Sequence, residues 1–496
     1  MGIKSVLAKV FAAYIANQVK SDSKKAVQHQ EQIRKELLQK AALTKFGIDH
    51  QFASIQSYDD FKKQVPVRDY EGLRPYIDAA VQGEANVCWP GRPLYWAKTS
   101  GTTSGVKYIP ITKDSIPYHI NSARNALLCY IAETGNAKFV DGKLIFLSGS
   151  PEMDKKNGVF TGRLSGIVNH HVPQYLRTNQ LPSYPTNCID DWEEKVRAIV
   201  DETYDQNMSL ISGIPPWVQM YFDLLIEKSG KTIGELFPDF SVFVYGGVNF
   251  EPYRARIEQS IGRKINTIET YPASEGFIAY QDSQTEKGLL LLTNNKMFYE
   301  FIPVDEFFNE NPTRISLKDV ELDKNYAIIL NTNAGLFGYN IGDTVKFVSL
   351  QPYRIVVSGR IKHFISAFGE HVIGEEVEYA LMSVAKKHGI EVIEFTVAPQ
   401  VNPASGLPYH EWFVEFATAP LQLEQFALEV DAAMQMKNIY YKDLIAGSIL
   451  RPLVLRALPK NSFINLMRSM GKLGGQNKVP RLSNDRKLAD QLLSFL

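Results

Sequence analysis

Cysteine is scarce in this chain of 496 residues: Cys88, Cys129 and Cys188 are the whole complement. An odd number of widely scattered thiols builds neither a disulfide framework nor a zinc pattern, and it favours a reducing, cytoplasmic setting. Net charge is missing as well, with 54 basic and 54 acidic side chains. That balance argues against a nucleic-acid surface, so any cationic site must be concentrated in one place. No run approaches the roughly 18 apolar residues of a membrane span, and no integral membrane association is expected. Internal repeats, low-complexity segments and the G-x-S-x-G elbow of a serine hydrolase are also absent. The pair His170-His171 has no third ligand in view, and adjacent histidines point apart on any regular element, which favours a pocket or surface role over metal.

What remains is the mix of a soluble globular protein, 45% hydrophobic and 22% charged. Its length predicts two or three domains. Residues 1 to about 90 read as mostly helical. Within 2–20, Ile3, Leu7, Val10, Phe11, Tyr14 and Ile15 fall at helical spacing with lysines between them. The segment lacks the continuous apolar core and small-residue cleavage site of a signal peptide. Such a helix either packs this stripe on the domain or lies on a membrane, and packing is the expectation.

Beyond residue 90, short apolar runs alternate with amphipathic ones. Strands are predicted at 143–147, 208–211, 241–245 and 264–271, with helices at 190–203, 217–227 and 251–261. This alternation predicts an α/β fold with mostly parallel strands, whose carboxyl ends carry the ligand-binding loops. After about residue 289 the pattern turns to hairpins (297–304, 326–330, 345–348, 353–357), an antiparallel subdomain on the large unit. Past Gly359, a helix at 374–388, strands at 392–398 and 411–417, a helix at 421–436 and a strand at 448–457 make a small α+β domain. The expected division is 1–358 and 359–496, with a hinge near 359–363.

Six stretches carry chemistry. The first, Tyr95-Trp-Ala-Lys-Thr-Ser-Gly-Thr-Thr-Ser-Gly-Val-Lys-Tyr-Ile-Pro110, sets a hydroxyl- and glycine-rich loop between two apolar segments. Backbone N–H groups freed by Gly101 and Gly105, the hydroxyls of Ser100, Thr102, Thr103 and Ser104, and the Lys107 ammonium suit a polyanion. The spacing is not that of a Walker loop, and composition alone fits a Gly/Ser/Thr surface loop equally well. The second, Tyr245-Gly-Gly-Val-Asn249, follows a strand, and Gly246 and Gly247 let backbone lie flat against a planar ligand, although Gly-Gly after a strand is common. The third, Glu269-Thr-Tyr-Pro-Ala-Ser-Glu-Gly276, offers an aromatic face (Tyr271), a hydroxyl (Ser274) and a carboxylate (Glu275), the groups a metal–nucleotide site needs. Alone it also fits a strand-end turn. The fourth, Gly338-Tyr-Asn-Ile-Gly-Asp343, ends in a carboxylate able to accept two hydrogen bonds from a vicinal diol; a hairpin with Gly-Asp at its tip is the alternative. The fifth, from Val357-Ser-Gly-Arg-Ile-Lys362 onward, reads as a short connection between domains. Near the end, Gly474-Gly-Gln-Asn-Lys-Val-Pro-Arg481 holds Lys478 on an extended segment that Pro480 keeps out of a helix.

Taken together and in this order, these stretches resemble the adenylate-forming superfamily, and within it the acyl-acid amido synthetases, the auxin- and jasmonate-conjugating family, in a bacterial-type version. The resemblance runs from about Trp96 to Arg481. It implies ATP and Mg²⁺ as cofactors, and a carboxylic acid and an amine, expected to be an amino acid, as small-molecule partners. By the same resemblance Ser100 to Lys107 would cradle phosphates, Gly246 and Gly247 would face adenine and the acid, and Tyr271 would stack on adenine. Ser274 would donate to phosphate, Glu275 would hold Mg²⁺, Asp343 would accept both ribose hydroxyls and Arg360 would touch ribose or phosphate. Lys362 would be the pivot of a mobile carboxy-terminal domain that brings Lys478 to the α-phosphate and carboxylate. The implied reaction is adenylation of the acid followed by amide formation. A coenzyme A ligase of the same superfamily and a non-catalytic nucleotide or acyl-acid binder are the alternatives.

Overall fold

Runs such as Met208-Ser-Leu-Ile-Ser212 are buried along almost their whole length, which requires a strand with neighbours on both sides and cover on both faces. The computed structural model describes residues 2–100, 106–172, 177–247, 250–361, 364–365, 370, 372–446, 449–473, 478–483 and 485–496. Its strands, in chain order, begin with β1 (Tyr95–Ser100), β2 (Val106–Ile111), β3 (Lys143–Phe146), β4 (Asp154–Lys156), β5 (Val159–Gly162), β6 (Gln180–Leu181) and β7 (Met208–Ser212). There follow β8 (Val242–Gly246), β9 (Asn266–Ala273), β10 (Gly276–Tyr280), β11 (Leu289–Leu291), β12 (Met297–Pro303) and β13 (Ile315–Ser316). Then come β14 (Asn325–Thr332), β15 (Tyr339–Leu350), β16 (Tyr353–Arg360), β17 (Phe364–Ile365), β18 (Val372–Ile373), β19 (Val392–Gln400), β20 (Tyr409–Phe416) and β21 (Val454–Leu458).

The expected α/β class holds, with one refinement. The parallel half (β8, β7, β3 and β6 beside β9) and the antiparallel half belong to a single mixed sheet, in the order β13-β12-β14-β15-β16-β11-β10-β9-β8-β7-β3-β6. The switch from parallel to antiparallel occurs at β9, which pairs in parallel with β8 and antiparallel with β10. A two-residue connection between β9 and β10 reverses the chain there, so no break separates the halves. Helices Trp192–Thr203 and Pro215–Ser229 lie between the parallel strands in sequence, and they meet through the rings of Trp192 and Trp217 at 4.6 Å. A second sheet has the order β2-β1-β5-β4.

The chain forms two compact units. One comprises Met1–Val248, Ser260–Ile341 and Val345–Val356; the other comprises Asn249–Gln259, Gly342–Thr344 and Val357–Leu496. The second unit has its own core, in which Phe395, Trp412, Val414, Phe426 and Met434 from β19, β20 and helix Leu423–Lys437 pack together.

One expectation fails. The amino-terminal helix forms over Ile3–Ser23, but it does not bury the stripe that its largest side chains mark. Leu7, Val10, Phe11 and Tyr14 are exposed, whereas Ser5, Ala12 and Ile15 are buried. Ala8, Ala12, Ile15 and Val19 join the core that includes Ala126, Leu128 and Tyr130 of helix Ile116–Thr134. The small alanines let the two helices approach closely, and that close approach decides the buried face.

Candidate active site

In the first unit, Ala273 of β9 pairs with Gly276 of β10, leaving Ser274 and Glu275 as the two-residue connection. Gly276 is dictated by packing, since a Cβ there would lie 2.2 Å from Sδ of Met297. The turn holds Glu275 buried and within hydrogen-bonding reach of the Tyr339 phenol at the start of β15. Burial first, and then the Glu275 carboxylate, raises the Tyr339 pKa well above its ordinary value. The phenol therefore keeps its proton and donates it to Glu275.

Tyr339 is in turn fixed by a short parallel bridge to Arg68: Arg68 N donates to Gly338 O at 2.8 Å, and Asn340 N to Arg68 O at 2.8 Å. The next residue, Asp69, caps helix Tyr70–Val81 through Gly72 N at 3.2 Å. The Tyr70 hydroxyl accepts from Tyr108 N at 2.9 Å, and Lys107 Nζ sits 5.4 Å from the Tyr70 ring centroid. Tyr70 also acts electrostatically on Tyr339. Lys107 thus sits by Tyr70 and Glu275 by Tyr339, and the two tyrosines are near enough to act on each other. Neither tyrosine was singled out from the sequence. Tyr339 stood unassigned inside a quoted motif, and Tyr70 lay in a helix with no motif at all.

The neighbouring predicted residues are placed as follows. Gly246 ends β8 beside Thr270 of β9, and a Cβ on it would meet the Thr270 carbonyl at 2.4 Å. Gly247 has a left-handed φ of 82°. Tyr271 is buried with Ile278, Ala279 and Leu289. Ser274 is half-buried on the turn. Ser100 ends β1 opposite Val106. Gly101, Thr102, Thr103, Ser104 and Gly105, which join β1 to β2, lie outside the described residues, as do Lys362 and the stretch 474–477 before Lys478.

The second unit gathers three of the predicted residues. Arg360 Nε donates to Asp343 Oδ1 at 2.8 Å. The two are aligned by Ile361 N donating to Gly342 O at 2.7 Å and by Ser358 Oγ donating to Thr344 Oγ1 at 2.9 Å. Asp343 sits within a strand and not at a hairpin tip, and the preceding Gly342 has a left-handed φ of 88°. Lys478 is close enough for both charges to act on it. Crowding by the protein pushes its pKa below the ordinary lysine range, Asp343 pulls it back up, and Arg360 lowers it again. The side chain still reaches solvent, which moderates the desolvation.

The segment carrying Lys478 is strapped along β19. Thr396 Oγ1 donates to Pro480 O at 2.6 Å, Val397 N to Arg481 O at 2.9 Å, and Ser483 N to Val397 O at 3.0 Å. The Arg481 guanidinium anchors the strap by pairing with Glu378 at 3.0 Å and with Glu394, and by donating to the Tyr253 hydroxyl at 2.8 Å. Burial alone would lower the Arg481 pKa, but Glu394, Tyr253 and Glu378 outweigh it and hold the group charged.

Among the described residues no three His, Cys, Asp or Glu side chains gather as a metal site. Glu275 is a single, buried, hard oxygen donor. That suits a magnesium ion, which takes one or two carboxylates and completes its shell with water and phosphate.

Three family models match the chain in order: the GH3 family N-terminal domain over 15–183, the central domain over 290–360 and the C-terminal domain over 375–487. The chain belongs to the GH3 family. Lys107 falls in the N-terminal match, Asp343 and Arg360 in the central one and Lys478 in the C-terminal one, while Glu275 lies between matches. The GH3 relatives are distant. A jasmonoyl–L-amino acid synthetase, JAR4 of Nicotiana attenuata, is 22% identical over 58% of this chain, which spans 60% of that protein's length. An indole-3-acetic acid-amido synthetase, GH3.15 of Arabidopsis thaliana, is 21% identical, with 86% of each chain covered. A solved structure of GH3.15 acyl acid amido synthetase superposes with a TM-score of 0.79 at 15% identity, covering 97% of this chain and 96% of that one. At that identity the superposition establishes the shared fold.

Proposed function

We propose that this GH3-family chain is an ATP-dependent acyl-acid amido synthetase. A carboxylic acid attacks the α-phosphorus of ATP with loss of pyrophosphate, and an amine, in our reading an amino acid, then displaces AMP to form the amide. The observation that carries this reading is the meeting of Asp343, Arg360 and Lys478, from three separate stretches, in the second unit. A carboxylate for a diol, a guanidinium for ribose or phosphate and an ammonium within their electrostatic reach form a set for a nucleotide and its charged centre.

In this reading each group has a task set by its chemistry. Asp343, oriented by Arg360, accepts hydrogen bonds from the ribose hydroxyls. Lys478 offsets the negative charge that develops when the acid attacks. Lys107 offsets the charge of the terminal phosphates, helped by the 100–105 loop. Glu275, which accepts from Tyr339, would hold the magnesium ion, which when bound neutralises phosphate charge. Residues 359–496, turning about a hinge near 359–363 with Lys362 as pivot, would exchange the adenylating arrangement for the amide-forming one.

The test is ATP–pyrophosphate exchange over a panel of carboxylic acids with hydroxylamine as trap, followed by amino acids and coenzyme A as acceptors. Acid-dependent exchange with amide products from amino acids supports the reading. Thioester formation alone would move the chain to the coenzyme A ligases, and absence of exchange with every acid would make it a binder.

A further inference from the structure

The helix Ile3–Ser23 has no task in the proposed reaction, yet it presents two apolar faces. One is spent on the protein, where Ser5, Ala12 and Ile15 are buried against the first unit. The other faces solvent: Val6, Leu7, Val10 and Tyr14 are 51%, 65%, 71% and 65% exposed. At about 100° per residue, these four side chains share an arc opposite Ala8 and Ala12. Lysines bound that arc, Lys4 on one margin and Lys9 and Lys20 on the other. The helix holds a single acidic residue, Asp22, and the chain continues into Lys24 and Lys25. Arg124 adds a cation at the edge, its guanidinium 5.4 Å from the Phe11 ring. In a chain of zero net charge, this concentration of positive charge around an uncovered apolar strip is local.

We propose that this face lies on an anionic lipid surface. The helix axis would run along the bilayer plane, with Val6, Leu7, Val10 and Tyr14 at the acyl boundary and Lys4, Lys9 and Lys20 among the phosphates. No helix among the described residues is long and apolar enough to cross a membrane, so the attachment is to the surface. A second copy of the chain fits less well, because two-fold pairing of this face would bring lysines of both copies to the same rim, where like charges repel.

The test is flotation of the full chain with vesicles of equal phosphatidylcholine and phosphatidylglycerol, and with phosphatidylcholine alone, at low and high salt. The expected result is binding to the anionic vesicles, weakened by salt and roughly a hundredfold weaker without phosphatidylglycerol, as three lysine–lipid attractions imply. The V10E/Y14E and K4E/K9E variants, all at accessible positions, should melt like the parent and lose flotation. The inference is overturned if the parent does not float with anionic vesicles at low salt. It is equally overturned if both double variants float as well as the parent, or if light scattering finds a dimer that V10E/Y14E dissociates.

Discussion

Gly246 shows how one residue serves the sheet before it serves any ligand. The sequence reads it as a place where backbone approaches a planar molecule, while the fold packs it 2.4 Å, measured from a hypothetical Cβ, from the Thr270 carbonyl. Gly246→Ala should therefore lower stability by about 1–3 kcal/mol in urea denaturation, with or without nucleotide, because two strands must move apart. His119 supplies a different single-residue test. It is buried on helix Ile116–Thr134, its Nδ1 has no hydrogen-bond partner among the described residues, and burial pushes its pKa down to about 4. An unfolded histidine takes up a proton near pH 6.5, and the native one refuses it until pH falls much lower. This group's contribution to stability is thus intact above pH 6.5 and is lost progressively as pH falls toward 4, with a slope of up to about 1.4 kcal/mol per pH unit. His119→Gln should flatten that stretch of the stability–pH curve. Lys478→Ala should slow adenylation far more than amine transfer to preformed acyl-adenylate, as read by single-turnover assays of each step; equal losses would remove the role proposed for it.

Elements inherit their positions from such residues. The strap along β19 that carries Lys478 depends on Arg481, whose guanidinium lies between Glu378, Glu394 and the Tyr253 hydroxyl. Arg481→Met leaves the half-buried carboxylates of Glu378 and Glu394 without their cation and should cost about 2–3 kcal/mol by urea denaturation. Tyr253→Phe removes only hydrogen bonds and should cost about 1 kcal/mol. Element limits were legible where periodicity was strong: the helix Gly374–His388 stands where its pattern placed it, and β7, β8 and β9 fall within one or two residues of the strands read from the sequence. β15 was not. Its first residues, Tyr339 to Asp343, include a glycine and an aspartate and read as a turn, but pairing of Tyr339 with Arg68 draws them into the strand.

The whole molecule divides into two compact units whose limits interleave along the chain, since residues 249–259 and 342–344 belong with the carboxy-terminal part. Calorimetry should accordingly resolve two unfolding transitions, with Arg481→Met moving only that of the second unit; a single transition moved as a whole by Arg481→Met would show that the units unfold together. The interleaving was not visible in the sequence, where a change of strand rhythm marks a boundary only near residue 359.

Local pattern gave the α/β class and many strand and helix positions, while the family resemblance singled out Asp343, Arg360 and Lys478. Those features depend on neighbours a few residues away and on chemistry that each side chain carries wherever it goes. Which face of the first helix is buried, which tyrosines meet Lys107 and Glu275, and what holds the Lys478 segment were decided by folding. Burial and partnership depend on surfaces hundreds of residues distant, and a helix with two apolar faces can only learn from its landing site which one to hide.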